Sequence, residues 1–297
     1  MHRSIAARMD RPFSFFTTGL LFAVFWASAS VAGKFGLLSV EPLVLFNLRF
    51  LGAGAILLTY TLTIEKARMP VRAEWSHLTI FGAFNTTLYL GIFVIALQYT
   101  SPGITTLAVA LNPLIISVMT AIWIKRSVSW LEWLSIAIGL GGVFIASYPL
   151  LINSEAEPVG LFLLVLSMAA YSAGAVYYAG VKWTLSRIAI NGWQVLIGGI
   201  LLIPFTVLLH TRENNFDETF WLSLAWLILP VSIVAVQLWL RLLKTDAIKA
   251  SLWLYLCPIF GFLYAWIFFD EKITGYTVAG TMLVLVALYV GQRVSKR

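Results

Sequence analysis

The chain has 297 residues, of which 60% are hydrophobic and only 11% charged, with a mean hydropathy of +0.90. A soluble domain carries about 25% charged residues, so this composition excludes a water-soluble globular protein and defines an integral membrane one. The net charge of +7 does not signal a nucleic-acid partner, because the basic residues sit in short gaps between apolar runs. The lone Cys257 excludes a disulfide framework or a cysteine-based metal site within one chain.

Arg3, Arg8 and Arg11 precede an apolar run from Phe15 to Leu37. Ala27-Ser28-Ala29 imitates a signal-peptide cleavage site, but the run is too long and continues past it to Lys34, so it reads as the first membrane span. Four more spans follow: Pro42 to Ile64, His77 to Tyr99, Pro102 to Ile124 and Ser129 to Tyr148. A polar gap, Asn153 to Pro158, marks the middle of the chain. The second half runs Val159 to Val181, Ile188 to Leu209, Phe220 to Leu242, Ala247 to Phe269 and Thr274 to Gln292. Each run is close to the roughly 20 apolar residues that cross a hydrocarbon core. The expected architecture is an all-α membrane protein of ten spans.

Lysine and arginine placement sets the expected orientation. With the N-terminus inside and ten alternating spans, 16 of the 20 basic residues fall inside; only Lys34, Arg49, Arg212 and Lys272 fall outside. Both termini are thus expected in the cytoplasm, with the chain in an inner (plasma) membrane. The loops are too short for a folded domain.

Thr100-Ser101-Pro102-Gly103 opens a span broken once by Asn112-Pro113. A near copy from Thr245 to Phe268 is broken by Cys257-Pro258, at an offset of 145 residues. Proline removes an N–H and frees the carbonyl four residues back, here Val109 and Leu254. In a bilayer such groups survive only against protein or a watered cavity. The same offset places Trp26 on Tyr171, Arg49 on Gln194 and Leu140 on Leu285. Residues 1–149 and 159–297 therefore read as two five-span repeats joined by a periplasmic linker, 150–158. An odd number of crossings inverts one repeat relative to the other. Inverted repeats with paired broken helices are the design of alternating-access carriers, with the substrate held near the midplane.

The chain resembles the drug/metabolite transporter superfamily, in its ten-helix EamA-type branch, over nearly its whole length. Phe25-Trp26-Ala27-Ser28 with Lys34, Leu48-Arg49-Phe50, Leu111-Asn112-Pro113, Leu256-Cys257-Pro258 and Asp270-Glu271 carry the likeness. It is similar above all to the YddG-type aromatic amino-acid exporters of that superfamily. The resemblance implies a basket in which spans 1, 3, 4, 6, 8 and 9 surround a central cavity, and outward movement of aromatic amino acids. One departure is that Arg126 in the first half falls on Glu271 in the second.

No aspartate or glutamate lies mid-span, and His2, His77 and His210 are peripheral. Intramembrane proton relays use such groups, so a carboxylate-based proton or sodium motor is not expected, nor is a strongly cationic substrate. No metal cluster, buried Ser/His pair or aspartate-rich motif supports catalysis, and no glycine pattern supports nucleotide binding. Neither enzyme activity nor a cofactor is expected, and transport would be secondary or passive. A broader drug or metabolite range, and more remotely a lipid-modifying enzyme, stay open. Nothing in the sequence sets the oligomeric state, and a monomer suffices.

The candidate substrate contacts are aromatics and small polar groups. Trp26 with Ser30, and Asn85 with Tyr89, are one turn apart on spans 1 and 3; Tyr171 and Tyr178 share a face of span 6. Gln237 lies in span 8, Asn112 beside the break at Pro113, and Trp253 one turn before Pro258. Aromatic faces can stack a ring, and amides can bind amino or carboxyl groups. The alternative for each aromatic is lipid or interface contact. Lys34 and Arg49 fall in the outer leaflet, where they either snorkel or pair with Glu41, or else receive a substrate carboxylate at the outer mouth.

Overall fold

The computed structural model describes residues 12–96, 98–100, 102–152 and 157–293. Arg3, Arg8, Arg11, Ser101, the middle of the linker (153–156), Lys296 and Arg297 lie outside the described residues. All regular structure among the described residues is helical. Ten helices are long and apolar enough to cross a membrane. They are α1 (Pro12–Ser39), α2 (Pro42–Thr63), α3 (Arg72–Ala96), α4 (Pro102–Val109 and Asn112–Met119, ending in a π-turn at Thr120–Ile124) and α5 (Trp130–Leu151). The second set is α6 (Pro158–Gly180), α7 (Arg187–Leu208), α8 (Glu218–Thr245), α9 (Ala247–Phe269) and α10 (Gly275–Arg293).

The spans match the hydropathy reading except at the start of α3, which begins five residues before His77. Glu74 explains the difference. It is buried, closes a capping box on the Val71 N–H, and pairs with Arg68 at 2.7 Å and with the Thr184 hydroxyl. Hydropathy cannot see a first turn built on a satisfied charge.

Two pairs flank a central group. α2 packs along α7, and α5 along α10. Glycine sets these approaches: a Cβ on Gly54 would sit 2.7 Å from Leu196 Cβ, and one on Gly142 would sit 2.9 Å from the Gly280 carbonyl. Such spacing suits membrane helices, where close van der Waals packing replaces the hydrophobic drive. The remaining six helices pack among themselves, α1 against α8 and α9, and α6 against α3 and α4. At their centre Phe22 stacks on Trp239 (5.0 Å), Trp239 on Tyr171 (6.0 Å), and Tyr171 meets Tyr89 (4.8 Å) and Trp26 (6.3 Å).

Two irregularities recur at the 145-residue offset. α3 widens into a π-helix at Ala83–Leu88, and α8 does so at Leu227–Ala235. Ala83 to Leu88 shifted by 145 gives 228–233, inside the second π segment. Pro230 gives a local reason in α8, since it cannot donate to the ladder. π segments of this kind gather at functional sites.

Candidate functional site

Between the two π segments lies a cavity of about 190 Å³. α1 contributes Trp26, Ala29 and Ser30; α2 contributes Phe46, Arg49 and Phe50; α3 contributes Asn85, Thr86, Tyr89, Leu90 and Phe93. Gln194 and Val195 come from α7, and Val231, Ser232 and Val236 from α8. By helix rise, Arg49 is about 10 Å along α2 from Pro42, while Trp26, Asn85 and Ser232 fall near the middle of their spans.

Arg49 dominates the electrostatics. It is 5% exposed, and its Nε donates to Ser232 Oγ at 2.7 Å. The guanidinium carbon is 5.6 Å from the Phe46 ring centre and 5.3 Å from that of Phe50. Neither Nη makes a hydrogen bond or ion pair within the described residues, and no cavity-lining residue is acidic. A charge at the centre of a membrane helix costs about 2.5–3.5 kcal/mol even on the mildest scale, and Arg49, about two turns into α2, carries part of that cost. Arginine cannot shed its proton to escape that cost.

The charge is held by a polar chain across the repeat boundary. Ser232 accepts at its carbonyl from Asn191 Nδ2 (2.9 Å), Asn191 Oδ1 accepts from Gln194 Nε2 (3.1 Å), and Gln194 Oε1 accepts from Thr86 Oγ1 (3.0 Å) and Asn85 Nδ2 (3.3 Å). Arg49 and Gln194 are repeat mates. Each reaches from a flanking helix into the π segment of the opposite repeat: Arg49 from α2 to α8, Gln194 from α7 to α3. The cavity therefore sits on the pseudo-twofold relation between the halves.

Trp26, Ser30, Asn85, Tyr89 and Arg49 come together on this cavity. Trp26 Nε1, Tyr89 Oη and Asn85 Oδ1 have no hydrogen-bond partner within the described residues. Ser30 Oγ donates to the Ala27 carbonyl at 2.8 Å. Tyr171 stands behind the cavity in the aromatic layer, buried, its hydroxyl unsatisfied, as is the neighbouring Trp239 Nε1.

The other candidates lie elsewhere. Asn112 is locked into the α4–α6 junction: its amide donates to the Val109 carbonyl (2.9 Å) and to Met168 Sδ (3.2 Å), and its oxygen accepts from Ser172 Oγ (3.0 Å). The carbonyl freed by Pro113 is thus satisfied by the residue beside it. Pro113 and Pro258 are both buried, and the α9 break is a 3₁₀ turn at Leu252–Tyr255. Trp253 packs edge-on against Phe16 (5.1 Å), and Tyr178 stacks on Phe81 (5.3 Å). Gln237 Nε2 donates to the Arg187 carbonyl at the start of α7. Lys34 is exposed, its Nζ 3.6 Å from the Phe269 ring centre. Glu41 does not pair with Arg49; it accepts from His210, Thr211 and Arg212.

At the face where α1 begins and α10 ends there is a larger recess of about 910 Å³, lined by the ends of α4, α5, α8, α9 and α10. Arg126 spans it, bonding Glu132 at 2.6 Å in its own repeat and Asp246 at 3.0 Å in the other. Burial lowers the Arg126 pKa, but the two carboxylates raise it overall above its ordinary value. Asp246 also caps α9 through Oδ1 to the N–H groups of Ile248 and Lys249. The mate of Arg126, Glu271, makes no ion pair within the described residues.

Ten membrane helices, two matched halves of five and a cavity at their shared interface define a multi-pass membrane transporter with an internal repeat. The chain belongs to the EamA-like transporter family, whose pattern it matches twice, over residues 15–148 and 158–290. An uncharacterised transporter of Synechocystis is 22% identical, covering 89% of this chain and 85% of its own. Protein PecM of Dickeya dadantii is 24% identical (86% and 84% covered), and the inner membrane transporter YedA of Escherichia coli 24% (81% and 79%). A crystal structure at 18% identity superposes with a TM-score of 0.78 over 93% of this chain and 96% of that one, a likeness of fold.

Proposed function

We propose that this transporter exports small carboxylate-bearing, zwitterionic metabolites, with aromatic amino acids as its substrates, across an inner membrane with both termini in the cytoplasm. The carrying observation is Arg49: a buried cation whose Nη groups have no partner among the described residues, in a cavity within the membrane-spanning bundle with aromatic walls and no acidic lining residue. A carboxylate would take the guanidinium fork, a planar and bidentate match. Asn85 Oδ1 could accept from the ammonium, and Trp26 and Tyr89 offer faces for the ring. The cavity is smaller than the 300–1,000 Å³ or so of drug-sized pockets, which favours a compact metabolite over a bulky drug. Tyr171 and Trp239, with unsatisfied donors in the adjoining aromatic layer, would serve the substrate next as one repeat rocks against the other. Asn112, Tyr178, Gln237 and Trp253 would act on this motion through packing.

The test is counterflow of labelled phenylalanine or tryptophan in proteoliposomes, with and without an imposed proton gradient. Gradient-independent exchange is expected, reduced at least about tenfold by Arg49→Gln, as loss of a charge-assisted pair implies. Wild-type flux from Arg49→Gln at equal protein level would refute the assignment.

A further inference from the structure

We infer that, when no substrate is bound, the Arg49 cavity is an inorganic-anion site that takes chloride. The inference rests on Arg49 being the carboxylate receptor, and it concerns what neutralises that receptor between substrates. Arg49 is buried, and its one side-chain hydrogen bond among the described residues, to Ser232 Oγ, is to a neutral group. The cavity lining holds no carboxylate, and Glu41 is consumed by His210, Thr211 and Arg212. A cation in this setting has no counter-charge among the described residues, only a hydroxyl and two ring faces to offset its burial, and arginine has no neutral form to fall back on. The unspent donors on the same cavity all favour an anion: both Nη groups, Trp26 Nε1 and Tyr89 Oη. The rings of Phe46 and Phe50 lie beside the guanidinium, at 5.6 and 5.3 Å, and bring no counter-charge. A weakly hydrated, spherical monovalent anion answers these donors from any direction and needs far less room than about 190 Å³.

The experiment is equilibrium binding of labelled chloride to the purified full-length protein in nanodiscs, alongside thermal unfolding in chloride and in gluconate at equal ionic strength. One saturable site is expected, with a rise in unfolding temperature that saturates over the same range. Arg49→Gln should remove both effects, Arg49→Lys should keep a weakened site, and Lys272→Gln, at an exposed loop position, should leave both intact. Unsaturable binding, or an equal response in Arg49→Gln, overturns the inference. Should Arg49→Gln fail to fold, the wild-type stoichiometry and the Arg49→Lys affinity decide. Phenylalanine is then added as competitor. Chloride binding that phenylalanine does not displace would retain the anion site and reject the amino-acid reading; displacement supports both.

Discussion

Replacing Arg126 by glutamine should destabilise the protein more than replacing Asp246 by asparagine, although each removes one charge from the same ion pair. In the wild type Arg126 is 28% exposed at its side chain, while Glu132 and Asp246 are 2% and 3% exposed. Arg126→Gln leaves two nearly buried carboxylates without a cation. Breaking a fully buried pair costs about 3–5 kcal/mol, and the partial exposure of Arg126 lowers the expectation to roughly 2–3 kcal/mol. Asp246→Asn keeps the cap on α9, because the amide oxygen can still accept from Ile248 and Lys249. It also leaves Arg126 bonded to Glu132 through both nitrogens, at 2.6 and 3.3 Å. Its cost should be about 1 kcal/mol or less. Thermal unfolding in nanodiscs checks the order: a fall of roughly 4–12 °C for Arg126→Gln against about 4 °C or less for Asp246→Asn, using about 2–4 °C per kcal/mol. The double variant should recover part of the loss, since only Glu132 then lacks a cation. An equal fall for the two single variants, or a larger one for Asp246→Asn, would show that Arg126 does not neutralise both acids and would refute the reasoning.

The 209–217 loop between α7 and α8, which Glu41 ties to the end of α1 on the opposite face, should loosen in acid. Burial works to raise the Glu41 pKa, but N–H donation from Thr211 and Arg212, together with the His210 and Thr211 side chains, holds it at about 2 against an ordinary 4.5. A lowered carboxylate pKa contributes stability that is present in full above pH 4.5 and is lost as pH falls through about 2. The protection of amides in residues 209–217, measured against their intrinsic exchange rate at each pH, should therefore fall between those limits in the wild type and be low throughout in Glu41→Gln; wild-type protection that does not change would contradict this. Asn112→Ala should leave the part-buried Val109 carbonyl and the buried Ser172 hydroxyl without the partner they have now and cost about 1–3 kcal/mol in thermal unfolding, without altering the chloride response of the Arg49 site.

The ten spans and the two-fold repeat were legible because apolar length and a fixed offset are properties of the string itself. The breaks at Pro113 and Pro258 were legible for the same reason, but their role was not. Whether a freed carbonyl faces water or its own neighbour depends on a rotamer, and Asn112 turns back onto Val109. The π segments left no clear mark: Pro230 hints at one, while Ala83–Leu88 has only the polar run Asn85-Thr86-Thr87. The cavity beside them is lined from α2 and α7 as well as α1, α3 and α8, and not from α4, α6 or α9. Gln194 and Asn191, three residues apart on one face of α7, went unremarked as site residues. The available signal was that Arg49 and Gln194, both polar at matched places in apolar spans, are repeat mates.

That mismatch between mates bears on energetics. Had duplication stayed perfect, facing one side or the other would be a mirror-like choice between degenerate arrangements. Arginine opposite glutamine, and a clasp at Arg126 with no twin at Glu271, lift the degeneracy. In the transport cycle proposed above, one arrangement then lies lower and fixes the side on which an idle carrier waits for cargo; that resting posture alone cannot set the direction of net flow.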